Sequence, residues 1–429
     1  MATPKYAARS HRISKEELYA LVTLFMEYFP LEKEEGEPAE QGKKTEKYRK
    51  VGAALVLTND KIFAIDCSRD GVHAVARLVM EHQDVVKDCK IFVSRKPCSL
   101  CTKLLVQAEV KEIFYLPIEP EYHQDGLETD EEKKIAFEKE KLWVDELFRV
   151  SAISQKVFVP GAGLKVVEST QKYEVPTEQQ QETCRKTLLT KYWNKDWLKN
   201  VKDNLPWPSF DEEMRKQIDV DFEGIMAWAA KIALFAGSTE IACKFQRVPR
   251  EGGTTATTAQ GTFDPENKVT TDSKLDALLI TLARFLAERT DDPKTGVGAV
   301  IIQGDKNRKV VGLGWNGFPT KAVYGQYPRA SDTDESAQDK KYPFIVHAEQ
   351  NAIFMLNTKP ITDGILFVTK TPCSECTPLL KLRGIKTVVL GTKMENASNQ
   401  SLDYQSFCQK VKKGIFDCFE MTREESVTG

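Results

Sequence analysis

His347-Ala348-Glu349, with Pro372-Cys373-Ser374-Glu375-Cys376 downstream, is the stretch from which the rest of the chain can be read. One imidazole and two thiols make a ligand set that holds Zn²⁺ at three corners and leaves a fourth open to water. At such a site the water's pKa falls to about 7. Glu349, two residues beyond the histidine and not required as a ligand, is then placed to move protons. Residues 365–370 (Ile-Leu-Phe-Val-Thr-Lys) predict a short buried strand, and Pro372 is expected to open a helix. Cys373 and Cys376 then stand at i and i+3 on one face of a first helical turn, where free N–H groups and the helix dipole favour thiolates. Val346 to Leu356 predicts a second helix with His347 at its start. A bare Cys-x-x-Cys also fits a structural zinc knuckle or a redox pair. It is the joint presence of His-Ala-Glu that selects a catalytic metal.

The motif occurs twice. Val51-Gly52-Ala53 answers Val297-Gly298-Ala299, His73 answers His347, and Pro97-Cys98-Ser99-Leu100-Cys101 answers the later Pro-Cys-x-x-Cys. The step from histidine to first cysteine is 25 residues in the first copy (98 − 73) and 26 in the second (373 − 347). Matching spacings of this kind mark a tandem duplication. The first copy keeps three metal ligands, His73, Cys98 and Cys101, but reads His73-Ala74-Val75, with valine where the carboxylate should be. Zinc there would hold structure and could not move protons. The first domain is expected to be catalytically silent. From Val-Gly-Ala to histidine takes 22 residues in the first copy (73 − 51) and 50 in the second (347 − 297). The excess is expected to carry Gly314-Trp315-Asn316-Gly317-Phe318-Pro319.

Around the first motif the pattern predicts strands at Val51–Leu57, Lys61–Asp66, Lys90–Ser94, Glu112–Leu116 and Lys156–Val159. Helices are expected at Ser14–Tyr28, His73–Val86, Cys98–Ala108 and Glu131–Val150. Residues 1–12 read as a tail, Glu32 to Lys50 as a solvated charged loop, and Arg250 to Asp272 as a Gly/Thr-rich linker. Between the copies lie Trp193, Trp197, Trp207 and Trp228, expected to pack between domains. Leu275 to Arg289 predicts the helix that opens the second domain. The polar tail is expected to pack back through Phe407, Val411 and Phe416. The domains are drawn at 1–160, 161–272 and 273–429. His11, His82 and His123 have no partner at ligand spacing. Ten cysteines without a secretory signal point to a reducing compartment, cytoplasmic or nuclear. No apolar run reaches a membrane span. A net charge of −2 and a pI near 6.3 weigh against an obligate polynucleotide binder.

A His-x-Glu with a later Pro-Cys-x-x-Cys is the signature of zinc deaminases, and from Leu275 to Thr392 the chain resembles deoxycytidylate deaminases. The resemblance rests on Asp292-Pro293-Lys294-Thr295-Gly296-Val297-Gly298-Ala299, Gly314 to Pro319, Lys341-Tyr342-Pro343-Phe344, His347 to Ala352 and the cysteine motif. It implies an α/β fold of tandem cytidine-deaminase-like domains, each a mixed five-stranded sheet sandwiched by helices, and a homo-oligomer. It further implies that Asn316 and Gly317 contact the sugar of a bound nucleotide. Arg289, Lys294, Lys321, Arg329, Lys340 and Lys341 are candidates for its phosphates, and in relatives the long segment holds a nucleotide effector. Trp315 departs from the tyrosine frequent in the family.

The implied activity is hydrolytic deamination at C4 of a free deoxycytidine nucleotide, dCMP or dCTP. Zn²⁺ sits on His347, Cys373 and Cys376, Glu349 shuttles protons, and Ala348, Thr371 and Pro372 line the place of the exocyclic amine. Two other readings compete. Editing of cytosine or adenine in RNA or single-stranded DNA asks for a basic groove with aromatic platforms. A zinc-stabilised scaffold without catalysis fits Val75 but not Glu349.

Overall fold

The computed structural model describes residues 13–27, 29, 51–69, 71–116, 118, 129–159, 178–193, 212–237, 244–250, 273–292, 295–305, 308–319, 341, 344–395 and 403–422. The readings of 1–12 as a tail, of Glu32 to Lys50 as a loop and of 251–272 as a linker lie outside these residues, as do His11, His123, Trp197 and Trp207. The chain divides into two compact units, Ser14–Gly237 and Met1–Ile13 with Ser238–Gly429.

In the first unit a helix α1 (Lys15–Met26) precedes strands β1 (Gly52–Val56) and β2 (Ile62–Cys67). Ser14 caps α1 through the N–H of Glu17 at 3.1 Å, and the Glu17 carboxylate returns the bond to the Ser14 N–H at 2.7 Å. There follow α2 (Ala74–Glu81), β3 (Lys90–Val93), α3 (Ser99–Gln107), β4 (Glu112–Tyr115), α4 (Asp130–Val150) and β5 (Ser154–Val157). The sheet order is β2-β1-β3-β4-β5. β1 runs antiparallel to β2 and β3, and β3, β4 and β5 run parallel. Helices α5 (Glu178–Tyr192) and α6 (Glu212–Gly237), from the segment between the copies, pack on each other, and α6 packs on α1. Trp193 is spent there. Its ring stacks on Phe222 at 4.0 Å and its Nε1–H donates to Asp219 at 2.6 Å. It therefore packs within the first unit.

The second unit repeats the order. It holds β6 (Lys244–Arg247), α7 (Ser273–Ala287), β7 (Gly298–Ile302), β8 (Val310–Trp315), α8 (Ala348–Phe354) and β9 (Gly364–Val368). It closes with α9 (Cys376–Leu382), β10 (Ile385–Leu390), α10 (Gln405–Lys412) and β11 (Asp417–Thr422). Its sheet, β6-β11-β10-β9-β7-β8, has six strands where five were expected. Five of them reproduce the first sheet. The sixth, β6, pairs antiparallel with β11 and covers what would be a bare parallel edge, with Arg247 and Arg250 both on Asp417. In the first unit the matching edge strand β5 is protected by charge instead, with Lys156 on Glu112.

Backbone register aligns the copies residue by residue. Gly52 faces Cys67 and Gly298 faces Trp315, with the same irregularity one step before the hairpin, at Leu55/Val56 and Ile301/Ile302. Asp66, Cys67, Ser68 and Arg69 thus answer Gly314, Trp315, Asn316 and Gly317. An isolated bridge joins Arg69 to Val72, and its counterpart joins Gly317 to Val346. The first encloses two residues (70 and 71), the second 28 (318–345). This corrects the sequence reading, because Gly314 to Gly317 belong to the shared framework and the inserted segment starts only after them.

Candidate metal centre and active site

In the second unit, β9 delivers the chain to the cysteine turn, and α8 begins directly after His347, its N-cap. Pro372 does not open a helix. The helix begins at Cys376, yet the Thr377 N–H already bonds the Cys373 carbonyl at 3.1 Å, as Thr102 bonds Cys98 at 2.8 Å in the first unit. One helical turn therefore still puts both thiols on one side. His347 Nδ1 lies 3.2 Å from Cys373 Sγ and 3.2 Å from Cys376 Sγ. All three ligand atoms fall within 4.8 Å of one another. Tetrahedral zinc with nitrogen at about 2.05 Å and sulfur at about 2.3 Å asks for N···S separations of about 3.6 Å. The donor set and its size fit zinc.

The cluster shares its protons unevenly, and a cation bound there would displace those on His347 and Cys376. The Cys376 hydrogen bond brings Cys373 down to about 4 against the opposing effect of burial, and the Cys376 thiol is pushed up in exchange. Burial works against an imidazolium at His347, but the Cys373 hydrogen bond and the charges of Glu349, Cys373 and Glu375 outweigh it, and it rises to about 9. Glu349 is 4% exposed on the first turn of α8. Desolvation lifts its carboxyl to about 7, with the Cys376 thiol close enough to hydrogen-bond it. A carboxyl poised near neutrality can both take and return a proton.

Around the cluster, Ala348 and Thr371 are buried, as is Pro372. The Thr371 hydroxyl accepts the Glu395 N–H at 2.8 Å, and the Thr369 hydroxyl accepts that of Gly298 at 3.2 Å. Asn316 is 4% exposed and well engaged. Its Oδ1 accepts the Val297 N–H at 2.7 Å, and its amide donates to the Thr295 carbonyl at 2.9 Å and to Asp292 at 3.3 Å. Gly317 is pressed against Asp291, whose Oδ1 would stand 2.3 Å from any Cβ there. Among the phosphate candidates, Arg289 is buried and Lys341 is buried on Asp292. Lys294, Lys321, Arg329 and Lys340 lie outside the described residues.

The first unit assembles its own trio. His73 Nδ1 is 3.2 Å from Cys98 Sγ and 3.5 Å from Cys101 Sγ, all buried. The Cys101 hydrogen bond brings Cys98 to about 4, as at Cys373. What surrounds it differs. Val75 is fully buried at the place of Glu349. Lys96, also buried, holds the place of Thr371 and pairs with Asp145. The Ala74 N–H, matching Ala348, is capped by the Ser68 hydroxyl at 3.0 Å. Asp66, where the second copy has Gly314, binds Arg69 at 2.5 Å and Arg77 at 3.0 Å. His82 ends α2 edge-on to Phe63, away from the trio.

The sequence reading missed the start of α10 as part of the centre. Asp403 accepts the Ser374 N–H on its carbonyl at 2.6 Å and the Ser374 hydroxyl on its carboxylate at 2.7 Å. Tyr404 and Cys408 pack in one buried cluster with Cys373 and Cys376. The spacing Tyr404, Phe407, Cys408, Val411 is an i, i+3, i+4, i+7 stripe that would have announced this face. The first unit uses the same device, with Glu140 of α4 accepting the Ser99 N–H at 2.5 Å.

Residues 34–117 and 273–392 match the sequence profile of the cytidine and deoxycytidylate deaminase zinc-binding region. Over 94% of its length the chain is 26% identical to cytidine and dCMP deaminase domain-containing protein 1 of Danio rerio, covering 89% of that protein. It is 34% identical over 149 residues to deoxycytidylate deaminase of Pongo abelii, which spans 32% of this chain and 82% of that one. To deoxycytidylate deaminase of Mycobacterium phage D29 it is 32% identical over 123 residues, 27% of this chain and 91% of that one.

Proposed function

Because the chain belongs to the zinc-dependent cytidine and deoxycytidylate deaminase family, we propose that its second domain hydrolyses the C4 amine of a free deoxycytidine nucleotide, dCMP or dCTP. The products are the deoxyuridine nucleotide and ammonia. The observation that carries this reading is the buried carboxyl of Glu349 beside the His347–Cys373–Cys376 trio, at a place where the sister trio has Val75.

Zinc held by His347, Cys373 and Cys376 supplies the Lewis acidity that lowers the pKa of a water. Glu349 takes a proton from the attacking water and places it on ring N3, which makes C4 more electrophilic. It then carries the second proton of that water to the departing amine, and the carbonyl forms as ammonia leaves. Ala348 and the Thr371–Pro372 turn line the amine side, and Asn316 with Gly317 the sugar side. His73, Cys98 and Cys101 hold a structural zinc in a first domain that lacks the proton carrier.

The same reading takes a homo-oligomer and a nucleotide effector in the inserted segment, in a cytoplasmic or nuclear setting. For assembly, Phe354 and Leu382 on α8 and α9 are each 78% exposed, and Met80, matching Phe354, is 49% exposed. Light scattering on the purified chain reads the oligomer. No helix among the described residues is long and apolar enough to cross a membrane. Ammonia release from a panel of cytidine, dCMP, dCTP and their ribose forms tests the activity. Turnover of a deoxynucleotide supports it, and no release from any member overturns it.

A further inference from the structure

Lys341 stands among the candidates for a phosphate contact in the sequence, and the structure uses it otherwise. The residue is 1% exposed, and its side chain pairs with Asp292, 5% exposed. The other Asp292 oxygen accepts from the Asn316 amide at 3.3 Å. One residue on, Gly317 and Val346 exchange backbone hydrogen bonds of 3.0 and 2.8 Å, and Val346 leads directly into His347. Asp291, the neighbour of Asp292, accepts the Phe318 N–H at 2.9 Å. Lys341 comes near the end of the 28-residue segment enclosed by this bridge and Phe318 opens it. Both ends are thus fastened to the same two consecutive aspartates.

A buried charge stripped of its partner is strongly unfavourable, so neither Asp292 nor Lys341 can be neutralised alone without disturbing what surrounds it. An asparagine amide has two nearly isosteric orientations, and its neighbours choose between them. Here the Asp292 carboxylate and the Thr295 carbonyl draw the NH₂ group, and the Val297 N–H takes one lone pair of Oδ1. One lone pair is left, which can accept from a hydroxyl and cannot donate to an anion. In the first repeat the matching bridge spans only two residues, and serine stands at the place of Asn316.

Building on the deaminase reading above, we propose that Asp292 and Lys341 are positioning residues for that reaction. The pair orients the Asn316 amide and secures the Gly317–Val346 bridge, and so sets where the sugar of a deoxycytidine nucleotide sits relative to His347 and Glu349. Neither residue touches the substrate in this account. They act through Asn316 and the bridge.

The test uses the full-length, zinc-loaded chain with Lys341→Met, Lys341→Arg, Asp292→Asn and the Asp292→Asn/Lys341→Met double variant. Kinetics with dCMP and dCTP, metal content and amide exchange at Gly317 and Val346 are measured on each. Lys341→Met should keep its zinc, raise KM by on the order of 10–100-fold with a smaller change in kcat, and exchange faster at both amides. Lys341→Arg should stay close to wild type. The double variant should recover part of the loss, since no charge is stranded. Wild-type KM in Lys341→Met, equal damage in the Met and Arg variants, or unaltered exchange would each overturn the proposal. If Lys341→Met does not fold, the isosteric Asp292→Asn carries the same comparison. A wild-type chain that releases no ammonia from any nucleotide sinks the proposed function, and exchange at Gly317 and Val346 then decides the anchor alone.

Discussion

Gly314 lies in β8 directly beneath the helix that carries Glu349, and the contact is too close for any side chain. A Cβ at this position would stand 2.3 Å from the Ala348 carbonyl oxygen and 2.4 Å from the Ala352 nitrogen, both on α8. Ordinary contact begins at 3.4 Å, so Gly314→Ala must drive the helix and strand apart by 1.1 Å (3.4 − 2.3). Those two atoms are backbone, and no rotamer change relieves them. Overpacking of this kind costs about 1–3 kcal/mol of stability. The functional cost is larger. A displacement of about 1 Å between a catalytic group and its target lowers rates on the order of 10²-fold. The first repeat shows that the fold itself tolerates a side chain here, since Asp66 occupies the matching place in a site without a catalytic carboxylate. Ammonia release from dCMP and dCTP by zinc-loaded Gly314→Ala, with metal content and Tm measured on the same sample, checks this. A variant with unchanged kcat/KM and unchanged Tm would refute the argument that helix–sheet closeness places Glu349.

Val75→Glu should not awaken the first domain, because Lys96 still fills the place of Thr371 and Ser68 still caps the Ala74 N–H. The measurement is ammonia release in a Glu349→Gln background, with none expected. His73→Ala should reduce bound zinc from two ions per chain to one and lower Tm, while the folded fraction keeps wild-type kcat; metal analysis and active-site titration read both.

Much of the site was legible because its chemistry demands particular residue types at short range. His347, Glu349, Cys373 and Cys376 identify themselves by spacing, and their echo at His73, Cys98 and Cys101 reveals the repeat. Strands such as Gly298–Ile302 and Gly364–Val368 are apolar throughout and announce a buried sheet. What escaped was set by pairing across long stretches of chain. β6 and β11 are short and carry charges, and they become strands only by covering each other and the edge of β10. The insertion was misjudged because its true boundary is a backbone bridge between Gly317 and Val346 that no side-chain pattern records. Lys341 reads as a surface charge until a partner 49 residues away in the sequence buries it. Tyr404 joins the cysteine cluster through a helix that begins beyond the end of the family resemblance.

The central claim is that one unligated carboxyl beside the second metal trio moves the protons of deamination. Glu349→Gln keeps the size and the buried position and removes the proton carrier. The account predicts a zinc-loaded, folded protein whose ammonia release from dCMP and dCTP falls by at least about 10²–10⁴-fold. A zinc-loaded Glu349→Gln protein turning over at close to the wild-type rate would contradict it.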